Sequence, residues 1–289
     1  MTAEALATAA GLNADALHRV LRMLAVAGIF EPHGDSWAHT DLSRTIRSDH
    51  PRSMRPYIRM VGGRRYWFAV GELPHALSTG RPVAEKFVPG GTWAYFRDHP
   101  ETARAFDAAM EARASEEIAA LLAVFDFTPY RVIADIGGGR GQILRAVLAA
   151  APGTTGILFD LPGVVAGIAP QPRLSVHGGD FLTDPLPAAD AYIVGHVLHN
   201  WPDEEAAAIL RSIRRAAAPD AELLVLESIL PDAPEPHPAF VSDLVQLTFT
   251  GGRERTRDEY ERLLAAGGFR LQRIVATSSP TSVIVGATM

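Results

Sequence analysis

The 289-residue chain has no cysteine. That excludes disulfides, thiolate nucleophiles and every cysteine-based zinc site, and leaves histidine and carboxylate as metal ligands. It does not fix a compartment, since a cysteine-free chain suits an oxidising or a reducing one. Lysine is nearly missing too: Lys86 is the only one, and the other basic residues are arginines, a coding bias rather than a mechanism. No run of about 18 apolar residues occurs, and the start is an alanine-rich stretch with Glu4 that lacks the basic flank and apolar centre of a secretory signal. A cytoplasmic location without a membrane partner is the expectation. Positive charge is also short. A formal net charge of −6 gives no field to attract a polyanion, so nucleic acid is not an expected partner. What the chain does have is 47% hydrophobic residues, ample for one large domain or two modest ones.

The first sixty residues read as short helices and a hairpin. A helix near Thr2 to Ala9 meets a Gly11-Leu12-Asn13 turn, where Asn13 caps a second helix carrying Leu17, Val20, Leu21 and Leu24 at helical spacing. Gly28 closes it, and Phe30 to His39 predicts two short strands about a Pro32 to Asp35 turn. This outlines a winged helix-turn-helix, which serves either DNA binding or dimerisation. Seven arginines stand against six acidic residues in this segment, too balanced for a phosphate-tracking surface, so a dimerisation scaffold is expected. Tyr57 to Arg113 reads as helical and aromatic (Tyr66, Trp67, Phe68, Trp93, Tyr95, Phe96, Phe106), with a loop at Ser78 to Gly91. Those rings suit a core or a pocket, and core is the expectation.

From Pro129 strands alternate with helices: RVIADIGGGRGQ into a helix from Ile143 to Ala150, then GILFD, LSVHGGD, AYIVGHVL, a helix after Pro202, ELLVLESIL, a helix from Arg257 to Ala266, FRLQRIVAT and SVIVGAT. The pattern predicts a doubly wound, mostly parallel α/β sheet. A short Ser-Ser-Pro-Thr turn joins the last two strands, which are therefore expected to form an antiparallel edge pair.

DIGGGRG, Asp135 to Gly141, is a strand running into a glycine turn, with Gly137, Gly139 and Gly141 letting the backbone approach a ligand at a helix N-terminus. The dinucleotide pattern G-x-G-x-x-G fails at Gln142, and Asp135 disfavours a pyrophosphate but suits a cationic amino acid. Asp160 ends the next strand, 19 residues past Gly141, where a carboxylate suits two ribose hydroxyls. Asp180 ends the strand after that, with Phe181 beside it, a fit for an adenine amino group and ring. Each aspartate alone reads as a cap or turn residue; three in order at one sheet edge read as a binding site.

HVLHNWPDEE, His196 to Glu205, admits a metal site, a catalytic base or a helix start. With Asp203 the two histidines offer ligands, but they sit where a strand runs out and no third ligand stands at useful spacing. No metal is expected, and His196 reads as pocket wall or packed histidine. Pro202-Asp203-Glu204 is an ordinary helix start, with proline in the first turn and acids at the positive end.

DIGGGRGQ, FDLPGVV, GGDFL, HVLHNWPDEEA, LLVLESILP, GGRERTRDEY and AAGGF, in this order and spacing, resemble the class I S-adenosylmethionine-dependent O-methyltransferases of the plant caffeic acid type and their bacterial natural-product relatives. The resemblance covers nearly the whole chain. It implies a winged-helix dimerisation and substrate-lid domain over 1–98, a Rossmann-like methyltransferase domain over 99–289, and a homodimer formed through the first. It implies S-adenosylmethionine as cofactor, released as S-adenosylhomocysteine, held by Asp135, Gly137, Gly139, Gly141, Asp160, Leu161, Asp180 and Phe181. His199 would be the general base, flanked by Glu227 and Glu254, and Phe106, Met110, His196, Trp201 and Gln246 would line the pocket of a small-molecule hydroxyl acceptor.

Three departures qualify it. Asn200 replaces the aspartate that commonly follows the base, which is expected to lower its basicity. Gln246 replaces a substrate-touching methionine, implying a more polar pocket. The leading dimerisation helices are missing, implying a smaller dimer or a non-native start. Relatives that use the bound sulfonium for hydroxylation with decarboxylation or pericyclic chemistry, N- or C-methylation, and a non-catalytic binding protein remain the alternatives to O-methylation.

Overall fold

The computed structural model describes residues 1–169 and 171–289, apart from the side chains of residues 113, 115 and 116. The chain opens with α1 (Ala3–Ala10) and α2 (Ala14–Val26), the hairpin β1 (Phe30–His33) and β2 (Ser36–His39), and α3 (Asp41–Arg44). Asn13 caps α2 through its side chain, 3.0 Å from the Ala16 N–H. This is the order expected of a winged-helix segment. Of the apolar stripe on α2 only Leu21 is fully buried, while Val20 is 49% exposed.

Six helices follow: α4 (Arg55–Val61), α5 (Arg64–Gly71), α6 (Leu73–Thr79), α7 (Val83–Phe87), α8 (Gly91–Asp98) and the long α9 (Pro100–Val124). The expected loop from Ser78 to Gly91 thus contains α7, a turn of helix that follows Pro82. The aromatic residues of this region do not form a core. Trp67 and Phe68 are exposed, and Tyr66, Trp93, Tyr95, Phe96 and Phe106 are half-buried; Trp93 meets Phe96 and Phe106 edge-on, Tyr66 packs on Phe249 and Tyr95 stacks on His99.

The remainder alternates β3 (Val132–Ile136), α10 (Gln142–Ala150), β4 (Thr155–Asp160), α11 (Pro162–Val165), β5 (Leu174–Gly178), β6 (Ala191–Gly195), α12 (Asp203–Ala216), β7 (Glu222–Leu230), α13 (Pro238–Phe249), β8 (Arg255–Thr256), α14 (Arg257–Ala266), β9 (Phe269–Ala276) and β10 (Thr281–Thr288). The sheet order is β5-β4-β3-β6-β7-β10-β9, with β8 pairing to the end of β7. Strands β3 to β7 run parallel, and β10 runs antiparallel to both β7 and β9, as the short final turn predicted. The order reverses between β3 and β6, which opens a crevice at the carboxyl ends of those strands.

Period-two alternation covers both faces of the sheet. Val194, Val225 and Ile284 pack with Ile209, Leu210 and Leu264 from α12 and α14. Ile193, Leu224 and Val283 face the other way, onto Leu144 and Val147 of α10 and Leu121 of α9. At about 1.5–3 kcal/mol for each large side chain buried, these layers make the strand ends rigid enough to position a site. Among the described residues no helix is long and apolar enough to cross a membrane.

Candidate active site

Glycine conformation shapes the first half of the crevice. Gly137, Gly139 and Gly141 all take left-handed φ after β3, and the turn they form is closely packed: a Cβ on Gly137 would lie 2.7 Å from Val197 and 3.5 Å from Phe181. Asp160, at the end of β4, accepts the Gly139 N–H through Oδ2 and the Leu161 N–H through Oδ1, both at 2.7 Å. Leu161 itself is 44% exposed. Asp135 is buried inside β3, and neither carboxylate oxygen has a hydrogen-bond partner among the described residues. Burial, with the Asp160 charge adding, pushes its carboxyl up to about 7. Burial raises Asp160 to about 6, against the pull of its two backbone donors.

Asp180 lies two residues beyond β5, which ends at Gly178, rather than at the strand's last position. Its Oδ1 accepts the Leu182 N–H at 2.9 Å, a turn contact, while Phe181 meets Trp201 edge-on, ring centroids 6.0 Å apart. One unanticipated residue joins this end: Asp107 on α9, whose carboxyl burial raises and whose charge acts on Asp160.

The second half forms where β6 ends. The strand stops at Gly195, one residue before His196, which takes a left-handed φ of 53°; a single turn of 3₁₀ helix then spans Leu198–Asn200. Asn200 Nδ2 donates to the His196 carbonyl at 2.9 Å, so its amide secures the turn, a bond that an aspartate there would have no proton to make. His199 is buried on this turn, and its Nδ1 lies 2.8 Å from Glu254 Oε1 and 3.3 Å from Glu227 Oε2. Its backbone N–H also donates to Glu227 Oε1.

The two glutamates arrive by different routes. Glu227 stands on β7, beside β6 in the sheet. Glu254 is delivered by the loop that starts β8, whose Arg255 pairs with Ile229 of β7. Gly252 lets that loop touch the histidine turn, since a Cβ there would collide with the His199 carbonyl and the backbone of Asn200 and Trp201. Ser242 on α13 donates to Glu254 Oε1 at 2.6 Å, and the Glu254 N–H donates to Asp243 at 2.9 Å.

The two carboxyls differ in state. Burial raises Glu227, outweighing the attraction of His199 and His196. Burial works the same way on Glu254, but the hydrogen bond and charge of His199 and the Ser242 hydroxyl overcome it and hold that carboxyl below its usual range. The ionised Glu254 fixes an Nδ1 proton on His199, and that tautomer places the basic lone pair on Nε2.

Arg255 is the structural tie of this region. Fully buried, it donates to Asp203 Oδ1 and to the carbonyls of Leu198, Trp201 and Arg253. Asp203 is therefore more than an ordinary helix start. Arg255 stands next to Glu254 in GGRERT, yet nothing in the linear sequence told it from a surface arginine. Ser242, Asp243 and Glu117 likewise carried no signal of their own.

Around this centre, Trp93 of α8 stacks on Trp201 at 6.2 Å and meets Phe106 of α9 edge-on. Met110, one turn further along α9, is half-buried. Gln246 is buried on α13, where its Oε1 accepts the Thr250 hydroxyl at 2.8 Å. His196 Nε2 lies 2.8 Å from Glu117 Oε2 on α9. The structure thus brings His199, Glu227, Glu254 and His196 together, and Asp135, Gly139 and Asp160 together; Asp180 and Gln246 make local hydrogen bonds instead.

The sequence profile of the O-methyltransferase domain family matches residues 71–270. The phenazine O-methyltransferase of Lysobacter antibioticus is 36% identical over 291 aligned residues, covering 97% of this chain and 84% of the relative. An 8-amino-8-demethylriboflavin N,N-dimethyltransferase of Streptomyces davaonensis is 36% identical over 96% of this chain and 83% of its own length. Human N-acetylserotonin methyltransferase, solved with S-adenosylmethionine, superposes with a TM-score of 0.91 at 26% identity, covering 100% of this chain and 87% of the human one. The glycine turn, with its unpartnered Asp135 carboxylate and the Asp160 carboxylate across from it, fits the cationic amino-acid end and the ribose of that cofactor. The chain belongs to the O-methyltransferase domain family and is an S-adenosylmethionine-dependent enzyme.

Proposed function

We propose that this enzyme methylates a hydroxyl of a small aromatic or polyketide-type metabolite, with His199 as the general base. The observation that carries the reading is the buried His199 ring bonded at Nδ1 to Glu254 and backed by Glu227. When bound, S-adenosylmethionine supplies a methyl group already activated by its sulfonium. The protein then has two tasks, aligning the acceptor oxygen and taking its proton. A phenol is a weak nucleophile near pH 7 and its phenolate a strong one, so a base at His199 Nε2 lowers the barrier. Glu254 stabilises the imidazolium as it forms, and Arg255 keeps the turn in register. The near-parallel Trp93 and Trp201 rings, with Phe106 edge-on to Trp93, suit a planar acceptor.

In this reading residues 1–98 form a dimerisation and lid domain, residues 99–289 the methyltransferase domain, and the enzyme is a cytoplasmic homodimer. The exposed Val20, Met23 and Val26 on α2 support an interface there. A nitrogen acceptor is the second reading, favoured by the N,N-dimethyltransferase relative. Purified protein incubated with methyl-labelled cofactor and paired phenol and arylamine panels separates the two. Label in an aryl ether is the expected result; label only in amines rejects the hydroxyl, and no transfer rejects methylation.

Asp135 gives a second prediction. An acid whose pKa folding raises stabilises the ligand-free fold at low pH, and that contribution fades as pH rises from about 4 through about 7. A cationic cofactor binds the ionised form, so its affinity is expected to rise about tenfold between pH 6 and pH 8. Calorimetric titration at three pH values checks this, with Asp135→Asn expected to weaken binding and flatten the profile. A flat profile in the wild type would remove Asp135 from the cofactor site.

A further inference from the structure

His196 and His199 share a carboxylate as well as a turn. One ligand atom from each of His196, His199 and Glu227 lies within 4.8 Å of the others. Glu227 Oε2 stands 3.3 Å from His199 Nδ1 and 3.8 Å from His196 Nδ1. That oxygen is buried and has no hydrogen-bond partner among the described residues. An unsatisfied carboxylate oxygen inside a protein is costly. Between two imidazole nitrogens, it completes the donor set that zinc and its neighbours in the transition series prefer.

The spacing is close to what such an ion requires. Ligands at about 2.0–2.1 Å in a tetrahedron stand about 3.3 Å apart, so the Glu227–His199 edge already fits, the Glu227–His196 edge closes by about half an ångström, and the His196–His199 edge, within 4.8 Å, closes by a rotation of the His196 ring of up to about 1.5 Å at its nitrogen. The outer support is also present. His196 Nε2 meets Glu117 Oε2 at 2.8 Å, the carboxylate partner that orients a ligating histidine and raises its basicity. The linear spacing hid this arrangement, because the third ligand comes 28 residues after His199.

We propose that His196, His199 and Glu227 form a site for a divalent transition-metal ion of the zinc or cobalt type, and that its occupation switches the base off. The ion displaces the Nδ1 proton of His199 and takes that nitrogen from Glu254; the displaced proton passes by way of solvent to Nε2, with no net release. The ring stays neutral, and its Nε2 now donates instead of accepting. Only this inhibitory consequence rests on His199 being the base; the binding site does not.

Co²⁺ is the probe, because a tetrahedral or five-coordinate imidazole complex absorbs visible light far more strongly than the aqueous ion. Titrating purified protein, without cofactor or acceptor, is expected to give one-to-one binding with intensified visible bands that Zn²⁺ abolishes by displacement. His196→Asn should weaken Co²⁺ binding at least about tenfold, and Glu117→Gln about 10- to 100-fold, each measured on protein that still unfolds cooperatively. Zn²⁺ should inhibit methyl transfer by the wild type, with activity restored by a chelator. An aqueous-ion spectrum with the wild type, or equal affinity in both variants, overturns the site. Tight binding without inhibition overturns the switch. A bound-cobalt spectrum in a protein that methylates nothing supports the site and counts only against the proposed function.

Discussion

His199→Ala is expected to lower kcat about 10²- to 10⁴-fold, the usual worth of a positioned general base, while leaving cofactor affinity near the wild-type value. The separation follows from the geometry: Gly139 bonds to Asp160 and the charge of Asp160 acts on Asp135, and none of these groups proposed for the cofactor is a described partner of the imidazole. The loss should depend on the acceptor. A phenol acidic enough to ionise unaided at the assay pH needs little help, so the ratio of wild-type to variant turnover should shrink steadily as acceptor pKa falls. Mere distortion of the pocket would depress all acceptors alike. Steady-state kinetics over a series of substituted phenols, with cofactor affinity measured separately, reads both features. Near-normal turnover of weakly acidic phenols at neutral pH would end the assignment.

Arg255→Ala is expected to destabilise the fold by about 2–4 kcal/mol, at about 1–3 kcal/mol for each buried carbonyl left without its donor. The side chain is fully buried and gathers three carbonyls and the Asp203 carboxylate. Truncation leaves the carbonyls of Leu198 and Trp201 without that donor. Because those carbonyls bracket His199, turnover should fall together with stability. Arg255→Lys is the informative companion: it keeps the charge, but a single ammonium has no planar fork to reach acceptors on several sides at once. It should therefore recover only part of the loss. Urea unfolding of the two variants and the parent checks the prediction, and a change below about 1 kcal/mol in the alanine variant would show the clamp to be dispensable.

Most strands and three of the helices after Pro129 were legible because those strands are apolar or alternating and those helices follow a turn or cap signal, whereas α11, α13 and the two-residue β8 were not among the expected elements. The T-x-x-E that opens α14 is a capping box, with the Thr256 N–H donating to Glu259 at 2.9 Å. Of the three aspartates expected at strand ends only Asp160 ends its strand, while Asp135 lies within β3 and Asp180 two residues past β5. The pairing of His199 with Glu227 and Glu254 was readable only through family resemblance: no local rule links residues 28 and 55 positions apart. Arg255, Ser242, Glu117 and Asn200 owe their roles to what lies across from them, which periodicity does not encode. The aromatic helices failed for a related reason. Composition made Trp67 and Phe68 core candidates, but it does not say which side of a short helix faces outward.

The two halves of the crevice are also separated in time. The glycine turn and the three aspartates lie within residues 135–180, whereas the second carboxylate on His199 belongs to residue 254 of 289. At roughly 5–20 residues per second during synthesis, the ribosome produces the glycine turn and its aspartates several seconds before the loop that orients the imidazole. A nascent chain that stops short of Glu254 therefore has the glycine turn but leaves His199 Nδ1 without the carboxylate that reaches it once β8 docks on β7.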